Sequence, residues 1–76
     1  SQQDTNQILA AEAAQRALEA AHLDEGIVSA DREGGAWIVT TRWRQSSAAG
    51  HLVTVDAATG KVTMERYRTL QLGAPS

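Results

Sequence analysis

The chain contains no cysteine, which removes disulfide staples, a thiolate nucleophile and any cysteine-based zinc site, so packing alone must hold the fold. Aromatic residues are scarce as well: two tryptophans and one tyrosine. No apolar run approaches the roughly 20 residues that a membrane-spanning helix requires, and no signal-peptide core is visible. Seventy-six residues make one small domain, which buries roughly 60–65% of the surface its unfolded chain exposes. That leaves little room for a deep catalytic cleft. The net charge of −2 argues against a general nucleic-acid binder, which needs a surplus of Lys and Arg to neutralise phosphates.

Charge is unevenly placed. Up to Gly35 there are seven acids against two bases, and from Ala36 onward two acids against five bases. The two halves attract each other or present opposite signs to partners. The chain opens on Ser1-Gln-Gln-Asp-Thr-Asn-Gln7, a polar start without Met, which suggests a position just downstream of a removed export signal.

Residues 1–6 read as a polar lead, 7–68 as one folded domain and 69–76, with Gly73, Ala74 and Pro75, as a frayed tail. Within the domain, Ile8 to Leu23 is rich in Ala, Leu, Glu, Gln and Arg and lacks Gly and Pro, which predicts a helix of about four turns. Asp4, Thr5 or Asn6 is the expected cap. At helical spacing Ala10, Ala11, Ala14, Ala17, Leu18 and Ala21 form one stripe, opposite Glu12, Arg16 and Glu19. A stripe so small must lie close against a sheet that supplies the bulk. Gly26 is placed to close the helix in a left-handed conformation.

Ile27 to Glu33 predicts an edge strand whose Asp31, Arg32 and Glu33 discourage pairing with other chains. Gly34-Gly35 marks a turn, and Ala36 to Arg44, rich in β-branched and aromatic residues, is the strongest strand signal. Gln45 to Gly50 reads as a loop, and His51 to Val55 and Lys61 to Tyr67 as two further strands. Between them Asp56 is expected to accept hydrogen bonds from turn amides and Gly60 to supply a positive φ. The expected architecture is α+β, one N-terminal helix packed on a three- to four-stranded antiparallel sheet.

The Ala-rich helix, the strand Gly26-Ile-Val-Ser-Ala-Asp31, the Trp37-Ile-Val39 strand and the phrase Val55-Asp-Ala-Ala-Thr-Gly-Lys-Val62 together resemble a PepSY domain over residues 5–67. The matched positions of that family's hairpin are Val55, Asp56, Ala57, Thr59, Gly60 and Val62. The resemblance implies a non-enzymatic module of exported or membrane-attached bacterial proteins, periplasmic or secreted, with which an upstream lipid anchor is compatible. It also implies a link to thermolysin-type peptidases, whose propeptides use such modules to inhibit and chaperone the enzyme. It brings no catalytic residues.

The residues themselves agree in offering no catalytic constellation: there is no nucleophile elbow or phosphate loop, and His22 and His51 lack metal-ligand spacing. No cofactor and no metal is expected. The turns at Gly34-Gly35 and Asp56 to Gly60 do not open helices, so they read as hairpins rather than anion cradles. In Trp37-Ile-Val-Thr-Thr-Arg-Trp-Arg44, alternation assigns Trp37, Val39, Thr41 and Trp43 to one face, taken as the core, and Ile38, Thr40, Arg42 and Arg44 to the other. Arg42 and Arg44, with His51 near them and Arg66 and Arg68 on the last strand, predict a basic, solvent-facing surface for a protein or peptide partner, preferably acidic. The bland alternative is a solvated face that keeps the sheet soluble and pairs with Glu65 or the helix acids. Two competing readings are a single-stranded nucleic-acid binder that stacks bases on Trp37 or Trp43, and a purely structural domain of a larger exported protein. Aromatics and bases on opposite faces speak against nucleic acid.

Overall fold

The computed structural model describes residues 1–45 and 48–68. A helix, α1 (Gln2–Ala20), is followed by four strands: β1 (Glu25–Glu33), β2 (Ala36–Trp43), β3 (Ala49–Asp56) and β4 (Val62–Arg68). The strands form one antiparallel sheet in the order β1-β2-β3-β4, and the helix lies across one face. This is the α+β arrangement expected, with four strands. The frayed tail expected from Thr69 onward lies outside the described residues.

The helix begins earlier than its apolar stripe suggests. Ser1 is the cap: its hydroxyl accepts from the Asp4 amide at 3.3 Å while the Asp4 carboxylate takes the Ser1 ammonium at 3.5 Å. Such a reciprocal box satisfies amides that the first turn leaves without helical partners. Residues 2–6 of the polar lead are therefore helix, because Gln2 and Gln3 are good helix formers and no breaker follows them. Asp4, Thr5 and Asn6 lie inside α1.

The other end also differs from expectation. His22, at φ 59°, takes the left-handed position. Its amide donates to the Glu19 carbonyl at 3.1 Å and that of Leu23 to the Leu18 carbonyl at 2.9 Å, the paired bonds of a Schellman closure. Histidine is among the few non-glycine residues that tolerate this conformation. Gly26, expected to close the helix, instead lies within β1 opposite Arg42.

Ala10, Ala14 and Leu18 are the buried residues of α1; Ala11 and Ala17 are half-buried, and Ala21 is exposed. The sheet supplies Ala30, Trp37, Val39, Val53 and Val55 to the core. Trp37 alone contributes on the order of 2–3 kcal/mol through its burial. Trp43, assigned by alternation to the core, is 45% exposed. It pairs with Glu25 on the last rung of the β1–β2 ladder. On β1, a register shift between Ile27 and Ser29 leaves Val28 half-exposed. Asp31, Arg32 and Glu33 are exposed on this edge strand, as its sequence implied.

The turn chemistry follows expectation. Gly34 (φ 58°) serves the β1–β2 turn. Between β3 and β4, Asp56 Oδ1 accepts from the amides of Ala58 at 2.8 Å and Thr59 at 2.9 Å, and Gly60 (φ 77°) donates to the Asp56 carbonyl at 2.8 Å. The Thr59 and Ala58 amides hold the Asp56 carboxyl below its ordinary pKa.

Candidate functional site

Strand alternation and register put Thr41, His51 and Arg66 on the same face as Trp37, Val39, Val53 and Val55, the face that carries the helix. Glu25, opposite Trp43, joins them from β1. A row of polar residues thus crosses all four strands near one end of an otherwise apolar face: Glu25, Thr41, His51, Arg66.

The inner members of this row are bonded to one another. Thr41, fully buried, donates its hydroxyl proton to Glu25 Oε1 at 2.6 Å, and its own Oγ1 accepts from the His51 amide at 2.9 Å. His51 Nδ1 lies 2.8 Å from Glu25 Oε2 and 2.9 Å from Oε1. A carboxylate only accepts, so Nδ1 carries the proton and the ring orientation is set. Glu25 is 6% exposed, and these two donors satisfy it; without them a buried carboxylate is costly. The second nitrogen, Nε2, has no partner among the described residues.

The backbone opens to admit this chain. The Thr41 hydroxyl stands where the next β2–β3 ladder bond would form. The Thr41 carbonyl is taken instead by the Tyr67 hydroxyl at 2.5 Å. Tyr67 reaches it over Gly50, where a Cβ would sit 2.1 Å from the Thr41 oxygen and 2.9 Å from the Tyr67 hydroxyl. Only glycine fits here.

Beside the row lies an open groove of about 670 Å³, lined among others by His22, Trp43, Ala49, His51, Arg66 and Arg68. It exists because α1 stops at Ala20 and the chain returns to β1 through His22 to Asp24, so that the helix does not extend over the ends of β3 and β4. Its acids are occupied: Glu25 as above, and Asp24 by Arg44, Nε to Oδ1 at 3.1 Å. Arg66 and Arg68 are exposed and make no ion pair among the described residues. The groove therefore sets two exposed arginines beside one exposed indole, with the Glu25 carboxylate buried in its own hydrogen bonds and Asp24 paired to Arg44.

The four arginines expected to share a surface are divided by the sheet. Arg42 pairs with Gly26 on the outer face, and Arg44 folds back over Gly26, its Nη1 3.4 Å from where a Cβ would stand. Arg66 faces His51 and Arg68 faces Ala49 on the helix side. His51 consequently belongs with Arg66, not with Arg42. Trp43 and the β4 arginines share one face, so the separation of aromatics from bases that spoke against nucleic acid does not hold at this end of the sheet. Alternation within a strand says nothing of the phase between strands, which register decides.

Glu25, Thr41, Gly50 and Tyr67 are the residues that sequence reasoning did not single out for a site. A signal was present: Thr41 is in phase with Trp37 and Val39, and His51 with Val53 and Val55. Polar residues in phase with a buried face need partners there. Among the described residues no group of three or more His, Cys, Asp or Glu is arranged to hold a metal ion, and no helix is long and apolar enough to cross a membrane. In comparisons with protein families, curated proteins and solved structures, the chain shows no match.

Proposed function

We propose that the protein is a non-enzymatic binding module that takes an acidic peptide or protein segment in the groove bounded by Trp43, His51, Arg66 and Arg68. The observation that carries this reading is the placement of two arginines, without an ion pair among the described residues, beside an exposed tryptophan, while both neighbouring acids are bonded internally. Complementary charge steers a partner and fixes its orientation, and the indole offers the apolar contact that most often anchors an interface. The PepSY-like hairpin phrase supports placing the module in an exported bacterial protein, with regulation or inhibition of a peptidase as its role.

The exposed indole flanked by arginines also favours a second reading, single-stranded nucleic acid. One stacking platform in a chain of net charge −2 makes it the weaker one, since such proteins stack successive bases along a basic track. Titration of the W37F variant, whose emission reports Trp43 alone, tests both. An acetylated, amidated Glu-rich peptide should shift the emission, and R66A/R68A should weaken binding roughly three- to tenfold while R42A/R44A does not, as expected for partly exposed charge pairs. Tighter binding of an oligothymidylate than of the peptide would favour nucleic acid instead. Loss of peptide binding in R42A/R44A alone would move the site to the outer face.

A further inference from the structure

Arg66 and Arg68 stand two residues apart on one face of β4, about 7 Å along the strand. That is also the spacing of alternate side chains in an extended peptide. Arg66 lies directly across from His51, where facing side chains are about 5 Å apart. The His51 ring, held by Glu25 through Nδ1, forms part of the groove wall and keeps Nε2 unpartnered among the described residues.

We propose that the groove reads an extended peptide segment with acidic side chains at alternate positions, the first carboxylate received jointly by Arg66 and His51 Nε2 and the next by Arg68. This rests on the acidic-peptide reading above and adds to it a spacing and a recognition residue. His51 meets the ligand as an imidazolium bridging two carboxylates, Glu25 on Nδ1 and the ligand on Nε2, with any proton it lacks drawn from solvent. Glu25 and Thr41 are positioning residues, because they touch the ring or its carboxylate and never the ligand. A peptide terminus supplies one carboxylate and leaves one arginine unmatched, which is why internal side chains are the proposed source. The chain's own residues 69–76 contain no acid and do not supply the pattern.

The test uses short acetylated and amidated peptides: one with Glu-Val-Glu, one with two adjacent Glu, one with Gln-Val-Gln, and the Gln peptide again with a free C-terminal carboxylate. The alternate peptide should bind tightest, the adjacent one roughly three- to tenfold more weakly, and neither Gln peptide appreciably. His51→Phe, which keeps a planar ring but removes both Nε2 and the Nδ1 bond to Glu25, should weaken the alternate peptide roughly tenfold or more, at least the effect of one hydrogen bond to a charged group. Ring ¹⁵N spectra of the unsubstituted protein should show Nδ1 protonated throughout and Nε2 shifting as this peptide saturates, which decides the matter even if the substituted chain does not fold. If acidic peptides bind through Arg66 and Arg68 with equal affinity for both spacings and an unmoved Nε2, this inference fails while the binding reading stands. If the free-terminus Gln peptide binds as well as Glu-Val-Glu, the internal source is wrong. If no acidic peptide binds, the binding reading itself is overturned.

Discussion

Thr41 satisfies three groups at once: its hydroxyl holds Glu25 and the His51 amide, and its carbonyl takes the Tyr67 hydroxyl. Thr41→Val preserves shape and burial but leaves a buried carboxylate and an amide each short of a partner. The cost should be about 1–3 kcal/mol, read as a lowered urea midpoint with an unchanged slope. Asp56 makes a second prediction at this scale. Its folded carboxyl titrates below the ordinary 3.8 because backbone amides of Thr59 and Ala58 bond the charged form. The stabilisation is therefore fully present above the unfolded carboxyl's range and is lost as pH falls through the lowered folded value. Acid unfolding of Asp56→Ala should show a shallower dependence on pH below about 4 than the parent. Asp56 was legible in the sequence, since turn chemistry is local. The roles of Thr41 and Glu25 were not, because their partners lie 10 to 26 residues away.

At the scale of elements, helix and strands were legible from composition and alternation, and their ends were less so. The helix starts six residues before Ile8, just after a capping box and with glutamines in its first turn, and it stops at a left-handed His22 rather than at the nearest glycine. Both ends are set by hydrogen bonds that an apolar pattern does not reveal. The relative phase of the strands was hidden for a related reason: the register, with its shift between Ile27 and Ser29, decides which arginines meet. Gly50 belongs to this scale because it lets β2, β3 and β4 approach where the ladder opens. Gly50→Ala should cost about 1–3 kcal/mol through overpacking. It should also free the Tyr67 hydroxyl from Thr41, visible as faster exchange of that hydroxyl proton by NMR. An alanine variant with unchanged stability would mean that the close approach of Thr41, Gly50 and Tyr67 does not exist in solution.

For the whole molecule, the excess of bases after Ala36 was plain in the sequence, and it does end up on a surface. What the fold adds is a division: Arg42 and Arg44 on the outer face with Asp24 as a neighbour, Arg66 and Arg68 beside Trp43 over a groove that the short helix leaves open. Trp43 is in that groove because α1 ends before the sheet does, a matter of relative length that no single segment encodes. The central claim is that this groove, and not the outer face, takes an acidic partner. Backbone ¹H–¹⁵N spectra recorded while an acetylated, amidated Glu-Val-Glu peptide is added test it most directly. The account predicts saturable shifts gathered at Trp43, Ala49 to His51 and Arg66 to Arg68, fading as salt is raised. Shifts centred on Gly26, Arg42 and Arg44, or none at all, would contradict it.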